Sequence, residues 1–224
     1  MNVKHFRWLF LPLLVALLVT MFSVDTPFTI GLSGEFSIIG LSGGCSQDKY
    51  RIAGGTAPWA LAFSVIVIGL YFLLMCAPPA EHGQKFSSWW RRLAAFWLDF
   101  FLAVAAVAPI LGLIPTFTEW RRTGVFVWNF ERATFAPGDG LLFAVLFALA
   151  IPAFAFYFSW PLLRRRPSPG TCIMGYQIVA DEGAALTLGA ALKRTLLGVT
   201  FLGDRYRTKF RVDAWFGTHA VKLK

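Results

Sequence analysis

Residues 89–114 decide the fold, and they read WWRRLAAFWLDFFLAVAAVAPILGLI. The apolar run from about Leu93 to Ile114 is long enough to cross roughly 30 Å of hydrocarbon as a helix. Pro115 is expected to end it, because a proline interrupts helical hydrogen bonding. The two leading tryptophans suit headgroup depth and the two arginines suit water. The stretch therefore predicts a transmembrane helix that starts at the cytoplasmic surface.

An acidic residue, Asp99, lies about two turns inside this span. A carboxylate at that depth is costly unless it faces a partner, water or a bundle interior. Ala95, Ala103 and Ala106 are spaced four and seven positions from Asp99, which predicts a buried face of small residues. Arg92 projects from the same face, about 10 Å away along the axis, which is long for a direct bridge. Asp99 with Arg92 is then either a polar staple that fixes helix packing or a protonatable site on a path for an ion or small solute.

Three other apolar runs predict three more spanning helices, over about residues 8–22, 59–77 and 140–163. The first follows basic residues, so it is either a signal peptide or an anchor. No small-x-small cleavage site follows it, which favours a retained helix. The second contains no ionisable side chain of the Asp, Glu, Lys, Arg or His type and predicts an ordinary packing or lipid-facing helix.

The basic residues give the orientation of the chain. With the amino terminus inside, 16 of the 21 Lys and Arg lie on the cytoplasmic side, and five lie in the two outer loops, 24–57 and 116–138. This bias, together with three arginines directly after the fourth span at 164–166, follows the positive-inside rule. The link at 78–92 is expected inside. We expect a multi-pass protein of the inner or plasma membrane with both termini cytoplasmic.

The tail after the fourth span opens with a Gly- and Pro-containing loop. The run Tyr176–Ala180 predicts a short strand followed by a turn, and residues 187–202 have helical spacing. Lys193 and Arg194 lie in the middle of that helix, so we expect it on the membrane surface. The predicted fold is an all-α membrane protein with four transmembrane helices. Its small cytoplasmic C-terminal segment contains a strand turn and an interfacial amphipathic helix.

The composition narrows the class of protein. Only 15% of residues are charged and 57% are hydrophobic, with a mean hydropathy of +0.61, so the polar surface is too small for a soluble core. The net charge of +9 is explained by topology and by anionic lipid headgroups, and no nucleic acid partner is expected. Three cysteines and three histidines lack ligand spacing, so we expect neither metal nor cofactor. No nucleophile and base are arranged for catalysis, so no catalytic residue and no enzyme is expected.

Three stretches in the second part of the chain form a recognisable series. They are RRLAAFWLD at 91–99; SPG at 168–170, GYQIV at 175–179, DEG at 181–183 and Arg194; and DAWFGTHAV at 213–221. In order and spacing they resemble the RDD family, membrane proteins named for one arginine and two aspartates. The resemblance implies that Arg92 and Asp99 are the arginine and first aspartate, and Asp213 the second. Thr171 stands where a lysine is common, and His219 where an arginine is frequent.

The resemblance covers roughly residues 88–222 and implies an RDD-like domain there, after an N-terminal two-helix membrane region with an outer loop at 1–87. Family domains often carry a third apolar helix, whereas residues 195–203 are too short to span hydrocarbon. Transport and cation–proton exchange have been proposed for family members. If this chain takes part in transport, we expect Asp99 to be the intramembrane site that binds or releases a proton, Arg92 to tune the affinity of that site, and Asp213 with Arg194 or Arg211 to form a cytoplasmic gate.

Two functions follow for the chain. It is either a membrane protein that takes part in cation or proton transport, or a non-transporting accessory or assembly subunit. In the second case the basic tail docks a partner or anionic lipid. Four helices with a single acid at membrane depth are too few to form a complete transport path. We therefore expect a homo-oligomer or a larger membrane complex.

Overall fold

The computed structural model of the protein is mostly helical. It describes residues 6, 8–13, 15–16, 36–38, 41–46, 49–77, 82–85, 89–132, 134, 136–180, 186–200 and 218–223. The chain forms two compact units. The first contains residues 1–14, 69–103 and 154–224, and the second contains residues 15–68 and 104–153. The predicted division of the sequence at 87/88 stays a prediction.

The helices are α1 (Pro58–Cys76), α2 (Trp89–Leu111), α3 (Leu113–Thr123), α4 (Asp139–Arg164), α5 (Pro169–Met174) and α6 (Leu188–Thr200). Within the described residues, three helical stretches are long and apolar enough to cross a membrane: α1, the run Trp89–Thr123, and α4. These confirm that long apolar helices lie at the three predicted places, about 59–77, 93–114 and 140–163. Residues 8–13, 15 and 16 are helical, but the remainder of the span predicted at 8–22 lies outside the described residues, so the count of four stays a prediction.

The predicted helix end at Pro115 is wrong. The helix breaks three residues earlier, at Gly112, and a second helix, α3, continues to Thr123. Pro115 is the third residue of α3, where a backbone N–H has no partner within the helix, so its missing N–H costs nothing. The predicted outer loop 116–138 therefore begins with a helix.

The strands are β1 (Phe36–Ile38), β2 (Leu41–Ser46), β3 (Lys49–Gly55), β4 (His82–Lys85), β5 (Asn129–Arg132), β6 (Tyr176–Ala180) and β7 (Thr218–Leu223). The all-α prediction missed the two antiparallel sheets that they form. The first has the order β1-β2-β3-β5 and lies within the second unit. It includes the pair Gly54 and Phe130 across β3 and β5, so the two predicted outer loops share one sheet.

The second sheet has the order β4-β7-β6 and lies within the first unit. The strand predicted at Tyr176–Ala180 is confirmed as β6, and it pairs along its full length with β7. The strand β4 falls in the stretch predicted as a polar link. The helix predicted at 187–202 is confirmed as α6, whereas the loop predicted after the fourth span contains the short helix α5.

The small-residue face of α2 is buried, as its spacing predicts. Ala95, Asp99, Ala103 and Ala106 are all at most 4% exposed. The tryptophans and phenylalanines on other sides of the helix are largely exposed, including Trp97, which suits contact with lipid. Helix α2 therefore presents its acid to protein and its rings to the outside.

Candidate functional site

The candidate site is built around the Asp99 carboxylate, which lies in α2 and is 4% exposed. Its two oxygens accept hydrogen bonds from the segment that opens α5. Ser168 Oγ donates to Oδ2 over 2.5 Å, and the backbone N–H of Gly170 donates to Oδ1 over 2.7 Å. We call these three residues the Asp99 cluster. Both contacts bring a donor to the acid, which is the arrangement that an ionised carboxylate accepts.

Ser168 is the residue that organises the α5 end of this cluster. It is the N-cap of α5, with extended backbone angles, and its Oγ accepts from the Thr171 N–H over 3.4 Å. A serine hydroxyl has one proton, and that proton is committed to Asp99. The Thr171 hydroxyl, 3.0 Å from Ser168 Oγ and 3.0 Å from the Ser168 carbonyl, must therefore act as a donor. Every described proton in this network points toward the acid or toward Ser168.

Gly170 allows the close approach of α5 to α2. A Cβ atom at this position would lie 2.2 Å from the Ala95 carbonyl oxygen and 2.8 Å from the Asp99 Cγ. Neither atom can move far, because both belong to the packed face of α2. Only a residue without a side chain lets the N–H at position 170 reach the carboxylate. The backbone of α5 thus becomes part of the site.

Two tyrosines from the other long helices join the same unit. Tyr71 of α1 stacks on Tyr157 of α4 with ring centroids 4.7 Å apart, and its hydroxyl donates to the Tyr157 carbonyl over 2.8 Å. Tyr157 is 5% exposed, and within the described part of the chain its hydroxyl has no hydrogen-bond partner. A buried hydroxyl without a partner is uncommon in native proteins and calls for an explanation.

The structure describes three of the five residues that the sequence singled out, namely Arg92, Asp99 and Arg194. Arg92 lies on α2, half-buried, and the hydrogen bonds of Asp99 go to Ser168 and Gly170 rather than to it. Arg194 lies on α6, where its Nε donates to Thr218 Oγ1 of β7 over 3.2 Å. Asp213 and Arg211 lie outside the described residues. Asp99 is therefore the predicted site residue whose surroundings the structure defines most fully.

Sequence reasoning missed the partners of Asp99. A signal for Ser168 was present, since a serine followed by a proline is typical of an N-cap and first helical position. That signal predicts a helix start but not which residue it meets, because Asp99 is about 70 positions earlier. Tyr157 gave no signal, since aromatic residues are common throughout α4.

The chemistry open to the site is that of an oxygen-rich acid. Each carboxylate oxygen has two lone pairs, and each uses one in the cluster, so two remain for a proton, a water or a cation. The hydroxyls of Ser168 and Thr171 add further oxygens. Among the residues that the structure describes, no group of three or more His, Cys, Asp or Glu side chains could hold a metal ion. The site is suited to exchange of a proton or a weakly held cation.

Comparison with known proteins gives one match. The sequence model of the RDD family matches residues 86–217. That range contains Arg92, the complete Asp99 cluster and Tyr157. No curated protein matches the chain, and no solved structure does.

Proposed function

This chain belongs to the RDD family, and on that premise we propose that it takes part in transport of a proton or small cation across the membrane, with Asp99 as the binding group. Its apolar helices and its family make it a membrane protein. We further propose that it is a multi-pass protein of the inner or plasma membrane with cytoplasmic termini. The bias of Lys and Arg toward the predicted cytoplasmic segments supports this orientation.

The observation that carries the proposal is the buried Asp99 carboxylate of α2, which keeps two lone pairs that accept no hydrogen bond within the Asp99 cluster. A charged side chain in the middle of a spanning helix costs about 2.5 to 3.5 kcal/mol on insertion scales. Two donors from α5 offset that cost, but the carboxylate is not saturated by them.

The geometry also relates binding to movement. A proton taken up on a free lone pair of Asp99 neutralises the carboxylate, and the hydrogen bonds from the Ser168 hydroxyl and the Gly170 N–H are weaker to a neutral carboxyl group than to a charged one. Protonation therefore weakens the contact between α2 and α5, and deprotonation restores it. A site that changes its protein contacts with its occupancy meets one requirement of a transporter, namely two states with different access.

A flux assay with the purified full-length protein tests the proposal. The protein is reconstituted in liposomes that contain a pH-sensitive dye, and gradients of sodium, potassium or lithium are imposed. We expect the intact protein to change the internal pH in response to at least one cation. Asp99→Asn should abolish the response, because an amide neither binds a proton in this range nor carries charge.

Two variants separate the chemistry of Asp99 from its packing. Ser168→Ala weakens the Asp99 cluster but keeps the carboxyl group, so it should still support flux. Glu131→Gln removes an exposed acid of β5 and should leave flux unchanged. The proposal fails if the intact protein moves neither protons nor cations, or if Asp99→Asn transports at the normal rate.

A second candidate is the accessory subunit that docks anionic lipid through the basic end of α4. Here Arg164 stacks on Trp160, with its guanidinium carbon 4.8 Å from the ring centroid, and Arg165 is exposed. This is the arrangement of an arginine held at headgroup depth. Absence of flux together with selective enrichment of anionic lipids around the purified protein, lost in Arg164→Gln/Arg165→Gln, would favour this function.

A further inference from the structure

The strongest unexplained feature of the second unit is helix α3, which carries three different faces. Thr116 and Glu119 face the protein and are 0% and 7% exposed. Phe117 and Trp120 are exposed to 47% and 43%. The third face consists of the exposed residues Thr118, Arg121 and Arg122. A helix of a soluble protein buries its rings and exposes its acids, and α3 does the reverse.

The exposed rings extend beyond the helix into the segment that follows it. Gly124 ends α3 with a φ of 74°, and its N–H bonds back to the Trp120 carbonyl, so the chain turns and residues 125–128 run back past the helix. Ring centroids are 6.2 Å apart for Phe117 and Phe126, 6.1 Å for Trp120 and Phe126, and 5.1 Å for Phe126 and Trp128. We call the four residues Phe117, Trp120, Phe126 and Trp128 the aromatic face. Every member is at least 40% exposed.

Helix length limits where this face can lie. With a rise of about 1.5 Å per residue, α2 alone spans roughly 34 Å and already crosses about 30 Å of hydrocarbon. The combined run Trp89–Thr123 contains 35 residues, or about 52 Å if straight, which is too long for one crossing. The break at Gly112 therefore falls where α2 has reached the far side of the hydrocarbon, and α3 has no hydrocarbon left to cross.

The charges around α3 fit an interfacial position. Glu119 is paired inside the unit, with Arg122 and with Arg132 Nε at 3.8 Å, so the buried acid does not need water. Arg121 is exposed beside the aromatic face, where an arginine can reach lipid phosphates. Aromatic rings on one side and arginines beside them are typical of a helix that lies in the plane of the membrane surface.

We infer that α3 and residues 124–128 bind the membrane interface, with the aromatic face among the upper acyl chains and Arg121 at the headgroups. The occupant of this exposed face is lipid. This surface is independent of the proposed transport site, since it lies wholly within the second unit. The first part of the predicted outer loop at 116–138 is thereby attached to the membrane surface.

Spin labelling of the full-length protein in liposomes tests the inference. With the native cysteines replaced, a nitroxide is attached at Trp120→Cys or, as a matched control on the same helix, at Thr118→Cys. The two positions are about 160° apart around α3. We expect the label at 120 to collide several-fold more with oxygen than with a water-soluble nickel complex, and the label at 118 to show the opposite preference.

A second measurement covers the case in which the cysteine variants do not fold. The double variant Trp120→Phe/Trp128→Phe keeps apolar rings but removes the tryptophan fluorescence of the aromatic face. The difference in fluorescence between the intact protein and this variant therefore reports on Trp120 and Trp128. We expect this difference to be quenched by lipids brominated near the headgroup and little by acrylamide. Equal access of both spin labels to the nickel complex would overturn the inference. Dipolar broadening between labels at 120, with little access to oxygen, would also overturn it, because a second copy of the chain would then cover the face.

Discussion

Replacing Gly170 by alanine is the sharpest single test of the Asp99 cluster. The added Cβ would lie 2.2 Å from the Ala95 carbonyl oxygen, whereas ordinary contacts begin at 3.4 Å, so α5 must move away from α2 by about 1.2 Å. A shift of that size carries the 2.7 Å hydrogen bond from Gly170 to Asp99 beyond hydrogen-bonding range. The hydroxyl of Ser168 moves with the same segment.

The expected size of the effect follows from these two bonds. A hydrogen bond to a charged group contributes about 1.5 to 3 kcal/mol, so losing both weakens the attachment of α5 by at least about 3 kcal/mol. Every 1.4 kcal/mol is about tenfold in an equilibrium, so the detached state of α5 becomes at least about 100-fold more populated.

Cys172 of α5 reports this detachment, because the residue is only 2% exposed and a buried thiol is protected from labelling. With Cys45 and Cys76 replaced by serine, we expect maleimide to label Cys172 about 100-fold faster in Gly170→Ala than in the parent protein. Ser168→Ala removes one bond and should give an intermediate rate. Gly189→Ala in α6 is the matched control, since nothing lies within 4 Å of its added Cβ. Equal labelling rates for Gly170→Ala and Gly189→Ala would refute the reasoning.

Three further predictions concern stability, measured by thermal unfolding in detergent. Tyr71→Phe should lower the free energy of unfolding by about 1 kcal/mol, since it removes one buried hydrogen bond to Tyr157; no change would show that the bond is not formed. Arg132→Gln should cost about 3 kcal/mol because it leaves the buried carboxylate of Asp139 without its charge partner. Exposed Arg121→Gln should stay within about 0.5 kcal/mol, and equal costs for Arg132→Gln and Arg121→Gln would contradict the buried ion pair between Arg132 and Asp139. Gly124→Ala meets no atom within 4 Å, so backbone strain alone should cost about 1 to 2 kcal/mol, and an unchanged melting temperature would argue against the left-handed turn.

Hydropathy was enough to predict the three long helices, because a spanning helix is a local property of about twenty residues. The sheets were missed for the opposite reason. Residues 36–55 contain many Gly and Ser, which weaken any strand signal, and β3 finds part of its pairing with β5, more than seventy positions away. Such pairing is set by tertiary structure and not by sequence pattern.

One part of the candidate site could likewise be predicted from the sequence, and the other part could not. The burial of Asp99 could be predicted because its small neighbours repeat on one face of α2. Its partners could not, since α5 contains six residues and the decisive donor is the backbone N–H of Gly170. A backbone donor cannot be recognised from the side chains in the sequence. The one sequence feature that goes with it is the glycine at position 170.

The position of β7 in the second sheet has a consequence for biosynthesis. Of the three strands β4, β6 and β7, the last to leave the ribosome is the one in the middle. Until it emerges, β4 and β6 have unpaired edges that can associate with other chains. A chain released before residue 218 can still insert its helices, but its sheet stays open.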